Sequence, residues 1–484
     1  MPAVGHWRTP RSCGTAASAL ESLAGGLCHA LAAADCRAIS QARIQDTIPI
    51  SAPHDTSTAS QRREYRRYLS LCVAIIALAL VLKLPSLHPH GHEDDELIFW
   101  HLTQNWLENG TYSLQGTPIL KALPSSIYDK PLFHHPPLLP MLMAPFVATN
   151  SPNAVILVAW FGHVMAIVGV AIICWTWRRR SWRAADLALW LPVLAVAVDP
   201  LMTFTARKLW PDDLAGGLAG LAMGFYCLAG ARRSPVWAVA GGVAVGLAGL
   251  AKLPGLLILP AGVLMLIWSQ SIQMSFLSLD EPLGERSSGR ARSPARSRLA
   301  IVCLGVLPAF AILVPWFVVF YGHYHALLPT WIRPDAALRA LSSHVDREMR
   351  RPWHFYLSQS AILAPVIPVI LVALAYRMRR VFSAGLGITV CWVGVVVLAL
   401  LLLRLSGHGM QMRYLTPAVP GVYAMLAGLL AIANPRRSLL GPVALLAVLY
   451  GVSTMGFFLY PENLKYDDIV PVPEILWRMW TAAP

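Results

Sequence analysis

Apolar segments, each close to the length that crosses a lipid bilayer, recur along this chain from residue 69 to residue 460. A helix needs about 20 mainly apolar residues to span the hydrocarbon core. Hydrophobic residues make up 56% of the 484-residue chain and charged residues only 13%, whereas soluble domains carry about 25% charged residues. The sequence therefore predicts an all-α polytopic membrane protein and argues against a soluble monomer.

The apolar segments predict eleven membrane-spanning helices. They lie at residues 69–87, 154–177, 184–204, 214–230, 236–251, 254–270, 299–321, 356–376, 381–403, 414–433 and 438–460. One further apolar segment, residues 136–148, is too short for a span and contains several prolines. It is predicted to be an interfacial or re-entrant helix on the outer surface.

The basic residues indicate how the chain is oriented in the membrane. The formal net charge is +14, and most arginines lie in short blocks between apolar segments, for example at residues 178–180 and 436–437. Because basic loops stay in the cytoplasm, these blocks are predicted to be cytoplasmic. Residues 88–153 then form the first extracytoplasmic loop. The charge is explained by topology, so membrane lipids are expected as partners and nucleic acids are not.

The chain divides into three predicted parts. Residues 1–68 are expected to be a disordered cytoplasmic tail, residues 69–460 a transmembrane domain, and residues 461–484 a short outer tail. The basic cluster at residues 62–67 also resembles the start of a membrane protein, so a translation start near it is the alternative. The eight cysteines show neither CxxC nor His-Cys spacing, and no disulfide framework or metal site is expected from them.

Charged residues at the outer ends of the predicted spans are the candidate chemical groups. The first outer loop begins with four consecutive acids at residues 93–96. A solvated start of a helix would explain them, but adjacent like charges are costly unless a cation, a proton or a substrate compensates. The apolar spacing that follows favours a helix with these acids at its amino-terminal end. Lys130 and His135 lie near the end of the same loop.

A second group of charges crowds the segment RKLWPDD between two spans. It contains Arg207, Lys208, Asp212 and Asp213. Charges so close to the hydrocarbon are costly unless they are paired or functional, and pairing of Arg207 or Lys208 with Asp212 is the structural explanation. Arg413, immediately outside a later helix, is a plausible phosphate ligand.

Several motifs resemble one family in order along the chain. DELIFWHLTQNWLENGTYSLQG, followed by HPPLLPMLMAPF, resembles the first extracytoplasmic loop of GT-C membrane glycosyltransferases. The resemblance is to the dolichyl-phosphate-mannose-protein mannosyltransferase-like group, which includes aminoarabinose and galacturonic acid transferases to lipopolysaccharide. Further matching segments follow in family order: RKLWPDDLAGGLAGLAMGFY, GLAKLPGLLILP, RRPWHFYL and MRYLTPAVPGVYAMLA.

This resemblance implies a GT-C-like fold and an inverting glycosyltransferase of the cell envelope. Such an enzyme moves a sugar from a polyprenyl-phosphate carrier to a lipid, glycan or protein acceptor. The active site would lie on the extracytoplasmic face of the inner (plasma) membrane. By resemblance, Asp95 is the general base and Glu96 orients the acceptor. Asp212 or Asp213 is the second acidic element.

The resemblance also suggests ligands for the donor phosphate. They are Lys130, His135 and Arg413, with Arg207 or Lys208 assisting. The family often has Lys-Pro-Pro where this chain has His135 before two prolines, so the choice between Lys130 and His135 stays open. No cofactor is expected, although carboxylates from two loops could form a Mg²⁺ or Mn²⁺ site.

Two other functions remain as alternatives. A secondary transporter also has many spans, but it places charges near the membrane midplane and often has two related halves. Here Lys83, Asp186 and Asp199 are predicted inside spans, each near a span end, and the halves show no repeat. An O-antigen ligase or polymerase would use arginine and histidine in a large late outer loop, and residues 322–355 keep that alternative open.

Overall fold

The computed structural model describes residues 56–84, 94–121, 131–133, 135–178, 186–278, 295–325, 384–405 and 412–433. These residues form α-helices and short 3₁₀ segments, and no strand occurs among them. The all-α prediction is thus confirmed for the described part of the chain. The predicted spans at residues 356–376 and 438–460 lie outside it, as do both terminal tails from residue 1 to 55 and from 461 to 484.

The α-helices are numbered here in chain order. They are α1 (Thr56–Val81), α2 (Asp94–Asn109), α3 (Leu138–Ala148), α4 (Leu157–Thr176), α5 (Leu187–Ala197), α6 (Pro200–Thr205), α7 (Pro211–Arg232), α8 (Pro235–Ala251), α9 (Leu259–Ser278), α10 (Ala295–Tyr324), α11 (Ala384–Leu405) and α12 (Val419–Ala433). The 3₁₀ segments are Pro118–Lys121, Ala154–Ile156, Leu253–Ile258 and Met412–Ala418.

Helix α7 lies at the centre of the core, where it packs against α4 on one side and α8 on the other. Glycines allow the closest of these contacts. A Cβ atom added to Gly217 on α7 would lie 1.8 Å from the carbonyl oxygen of Gly162 on α4. Small residues bring helix backbones together in membrane proteins, so the sequence of α7 fixes the close α4–α7 contact beside which the site is built.

The protein is a membrane protein. Within the described ranges, three helical segments are long and apolar enough to cross a bilayer by length and composition: Ala154–Thr176, Pro211–Arg232 and Leu299–Tyr324. The last of these exposes large apolar side chains such as Leu299, Leu307 and Val318, as expected of a surface in contact with lipid.

The described cysteines are free: Cys72, Cys174, Cys227, Cys303 and Cys391.

Two predicted boundaries are corrected by the structure. The span predicted at residues 184–204 is two helices, α5 and α6, because Asp199 caps α6 by accepting a hydrogen bond from the Met202 amide at 2.8 Å and Pro200 starts the new helix. Helix α1 begins at Thr56, so residues 56–68, predicted as disordered tail, are helical. Arginine and glutamate there favour helix, and Glu64 pairs with Arg67 at 2.9 Å.

The short proline-containing helix predicted at residues 136–148 is present as α3. It packs against α2, and its Leu139 and Met143 lie in one apolar cluster with Phe99 of α2 and Val158 of α4. The structure therefore confirms a short helix here and shows that one face of it is buried in protein. The predicted helix that begins with the acids is also present, as α2.

Candidate functional site

Two aspartates in the first turn of α7 form the centre of the site. Pro211 starts the helix, and Asp212 and Asp213 follow it. Proline is suited to the first helical position, and carboxylates there interact favourably with the positive end of the helix dipole. Asp212 is 1% exposed and Asp213 is fully buried, so both carboxylates need compensating partners inside the protein.

Asp212 is paired with Lys252, which directly follows the end of α8. The Lys252 ammonium donates a hydrogen bond to Asp212 Oδ1 at 2.5 Å. The hydroxyl of Thr416 donates to the Asp212 carbonyl oxygen at 3.0 Å. The suggested pairing of Asp212 with Arg207 or Lys208 is wrong, because the packing of α8 beside α7 brings a more distant lysine to this carboxylate.

Asp213 lies deeper than Asp212. Its Oδ1 accepts a hydrogen bond from the Thr205 hydroxyl. Lys83, Asp212 and Asp199 lie close enough to act on it electrostatically. Within the described part of the chain, Oδ2 of Asp212 and Oδ2 of Asp213 are buried without a hydrogen-bond partner. Unsatisfied buried oxygens are costly, so both atoms are suited to receive a donor from a ligand.

Cations and aromatic rings form the rim of the site. The Arg413 guanidinium lies 4.2 Å from the centre of the Trp210 ring, and the Lys208 ammonium lies 5.8 Å from the same ring. Arg207 and Lys208 are both largely buried, at 6% and 4% exposure, and burial lowers the pKa of Arg207 to about 10. Three of the predicted phosphate ligands, Arg413, Arg207 and Lys208, are therefore next to the α7 amino terminus.

Glu96 connects α2 to this site. Its Oε1 accepts a hydrogen bond from the Leu209 amide at 2.7 Å, which joins α2 to the loop that leads into α7. The two acidic segments that the sequence singled out are thus adjacent in space. Asp95 precedes Glu96 in the first turn of α2, but the side chain of Asp95 lies outside the described residues, and so does Lys130.

His135 is positioned by α2 and its neighbouring loop. Its ring meets the Phe99 ring edge to face at 5.2 Å, and its carbonyl oxygen accepts a hydrogen bond from the Tyr112 hydroxyl at 3.1 Å. Burial raises the pKa of Tyr112 well above its usual value, so this hydroxyl stays a donor. The preceding segment is also attached to α10, because the Tyr324 hydroxyl donates to the Pro131 carbonyl oxygen.

Two lysines of the site were missed as site residues. Lys252 lies in the segment that separates α8 from the next 3₁₀ turn, and a charged residue between two apolar segments was the available signal. Lys83 was assigned to a predicted span, near its end. Among the described residues, no group of three or more His, Cys, Asp or Glu is arranged to hold a metal.

The fold is similar to that of known membrane enzymes. ArnT from Cupriavidus metallidurans in the apo state has a TM-score of 0.51 and 19% sequence identity, over 85% of this chain and 68% of that chain. ArnT bound to undecaprenyl phosphate gives 0.49 and 17%, over 83% and 73%. The Archaeoglobus fulgidus oligosaccharyltransferase AglB, in complex with an inhibitory peptide and a dolichol-phosphate, gives 0.42 and 15%, over 86% and 58%.

No family model matches the chain, and no curated protein matches it. The likeness to apo ArnT therefore defines the fold, which is the GT-C fold predicted from the sequence motifs.

Proposed function

We propose that this protein is an inverting glycosyltransferase that moves a sugar from a polyprenyl-phosphate carrier to a lipid, glycan or protein acceptor. The observation that carries the proposal is the cluster at the α7 amino terminus. There, two buried aspartates with unpartnered oxygens lie beside the cations Lys252 and Arg413. Carboxylates and cations together suit a reaction that removes a proton from the acceptor and leaves a charged phosphate.

The proposed reaction is a single displacement. An acceptor oxygen bonds to the anomeric carbon as the bond from that carbon to the donor phosphate breaks. The acceptor proton moves to Asp95, and the bonding electron pair leaves with the polyprenyl phosphate. Glu96, proposed from the sequence to orient the acceptor, also holds α2 against the loop before α7. Asp212 and Asp213 support the acceptor side with their unpartnered oxygens.

The leaving phosphate is proposed to bind the cations of the rim. Arg413 and Lys208 lie around Trp210, and Arg207 directly precedes Lys208 in the chain. His135 and Lys130 remain candidates from the first loop. Arginine binds phosphate with charge-assisted hydrogen bonds that strengthen as negative charge develops.

The reaction is proposed to need no metal cofactor. Support comes from Lys252, which already supplies a positive charge to Asp212 at 2.5 Å. A chelator such as EDTA should then leave transfer unchanged. Loss of transfer in EDTA, with recovery on adding Mg²⁺ or Mn²⁺, would replace this proposal by one in which carboxylates from two loops bind the ion.

The proposed function is tested with purified protein in lipid nanodiscs. A panel of radiolabelled polyprenyl-phosphate sugars is supplied with lipid or peptide acceptors. We expect label to move to an acceptor and free polyprenyl phosphate to appear, and Asp213→Asn to abolish both. If no donor in the panel is consumed while vesicles containing the protein accumulate an unmodified solute, the transporter alternative is correct.

A further inference from the structure

Thr205 is the last residue of α6, and its hydroxyl donates a hydrogen bond to Oδ1 of Asp213 in the first turn of α7. Both side chains are fully buried. A hydrogen bond to one carboxylate oxygen restricts rotation of the whole group, and it thereby determines where the other oxygen points. The other oxygen here is Oδ2, the buried atom without a hydrogen-bond partner in the described part of the chain.

The Thr205 hydroxyl has a second acceptor within reach, the Leu201 carbonyl oxygen at 2.9 Å. A hydroxyl has one proton, so the two acceptors compete for it. Hydrogen bonds to a carboxylate are stronger than those to a neutral carbonyl. The proton is therefore expected to be directed at Asp213.

The position of Thr205 is fixed from outside its own short helix. α6 has only six residues, and a helix of this length has little stability of its own. Its cap, Asp199, accepts the Met202 amide at Oδ1 and the Tyr423 hydroxyl at Oδ2, the latter at 2.6 Å. Tyr423 belongs to α12, so a distant helix holds α6 through its cap.

Thr203 provides an internal comparison on the same helix. Like Thr205 it is a fully buried threonine, but within the described ranges its hydroxyl has no hydrogen-bond partner. The contact with Asp213 therefore distinguishes two threonines that share residue type, helix and burial.

We propose that Thr205 is a positioning residue for the transfer reaction, whose hydroxyl orients the Asp213 carboxylate, and that the Tyr423–Asp199 hydrogen bond holds α6 in place for it. The catalytic consequence rests on the proposed function. The two hydrogen bonds do not, since they are properties of the folded protein.

Three substitutions separate the hydroxyl from the packing of the side chain. Thr205→Val keeps the shape and removes the hydroxyl, so kcat should fall about tenfold or more as the carboxylate loses its orientation. Thr205→Ser keeps the hydroxyl and should keep most of kcat, although loss of a buried methyl group lowers the melting temperature. Thr203→Val, the matched control, should keep wild-type kcat.

The KM for the donor should change little in Thr205→Val. The loop between α6 and α7 contains Arg207 and Lys208, and it has other hydrogen bonds that remain. The Lys208 amide donates to the Thr205 carbonyl oxygen at 3.1 Å, and the Leu209 amide donates to Glu96 at 2.7 Å. The loss should therefore lie in kcat, which a general loosening of the fold would not single out.

Wild-type kcat in folded Thr205→Val, or an equal fall in Thr203→Val, would overturn the proposal. If Thr205→Val does not accumulate as folded protein, Thr205→Ala is compared with Thr205→Ser, because these two side chains differ by the hydroxyl alone. Equal kcat values in that pair would overturn the proposal as well.

Tyr423→Phe tests the anchor, because it removes the hydroxyl that donates to Asp199 and keeps the ring. It should lower kcat severalfold, and Thr205→Val should lower kcat less in the Tyr423→Phe background than in the wild-type background, since both act through the same carboxylate. Wild-type kcat in Tyr423→Phe, or losses that simply multiply, would overturn the anchoring of α6.

A double-mutant cycle tests the Thr205–Asp213 contact without any substrate. Thr205→Val should lower the melting temperature by on the order of 2 °C or more in the wild-type background, and by less in an Asp213→Ala background, where the acceptor is absent. Equal losses in the two backgrounds would overturn the contact. If the wild-type protein transfers no sugar while this cycle shows coupling, the proposed function fails and the contact stands.

Discussion

The Lys252 ammonium donates a hydrogen bond to the buried carboxylate of Asp212 at 2.5 Å and lies 4.3 Å from the centre of the Tyr414 ring. This one side chain connects the start of α7, the end of α8 and the 3₁₀ segment that carries Arg413. The cation that pairs with an acid of the site thus also contacts the residue next to a candidate phosphate ligand, Arg413.

Replacing Lys252 should damage both stability and activity. Lys252→Met leaves the Asp212 carboxylate buried and unpaired, so the free energy of unfolding should fall by about 1–3 kcal/mol. The rate of sugar transfer should also fall. Lys252→Arg keeps the charge and should retain more of both. Melting temperature and sugar transfer are measured in parallel, and a Lys252→Met protein with wild-type values for both would show that the pair is dispensable.

Replacing Asp95 should remove the proposed general base. Asp95→Asn keeps the size of the side chain and cannot accept the acceptor proton, so turnover should fall by ~10² or more. Expression and melting temperature should stay near wild type. Asp94→Asn is the neighbouring control and should keep most activity. The opposite pattern, with Asp94→Asn inactive and Asp95→Asn active, would move the general base to Asp94.

Replacing Arg413 should weaken donor binding. Arg413→Ala removes the guanidinium beside Trp210, and loss of a charged hydrogen bond to phosphate should weaken affinity about tenfold or more. Binding of a polyprenyl-phosphate sugar is measured by titration in nanodiscs. Arg63→Ala, at an exposed position of α1, is the control for loss of one positive charge. Equal affinities in both variants would leave Lys130 and His135 as the phosphate ligands.

The α4–α7 contact predicts a large stability difference between two glycine substitutions. A Cβ atom at Gly217 would lie 1.8 Å from the Gly162 carbonyl oxygen, whereas one at Gly322 meets no atom within 4 Å. Gly217→Ala should therefore lose about 1–3 kcal/mol or more through overpacking, and Gly322→Ala should lose nothing measurable. The melting temperatures of the two variants are compared by thermal unfolding. Equal melting temperatures would contradict the close packing of the α4 and α7 backbones.

The predicted orientation is tested by cysteine labelling in a cysteine-free background. Gln115, an exposed residue in the segment predicted to be the first outer loop, should be labelled as Gln115→Cys by a membrane-impermeant reagent added to intact cells. Ser287, in the basic segment between α9 and α10, should be labelled as Ser287→Cys only after the cells are opened. Labelling of Ser287→Cys in intact cells would reverse the topology.

Much of the fold could be predicted because its causes are local. Runs of apolar residues near the span length located α4, α7 and α10. The acids before an apolar helical pattern indicated the start of α2, and the prolines and short length of residues 136–148 indicated α3. The break between α5 and α6 was missed, because the capping of α6 by Asp199 interrupts a segment whose hydropathy is continuous.

The sequence by itself determined which chemical groups are present and at which ends of the helices they lie, since bilayer thickness and the preference of charges for helix ends act within one segment. Only the tertiary structure decided which groups meet. Asp212 contacts Lys252 and Thr416, and Glu96 contacts Leu209, because packing of α2, α7 and α8 brings together residues far apart in the chain. Such pairings depend on helix contacts made by glycines and apolar faces, and no local pattern of charge encodes them.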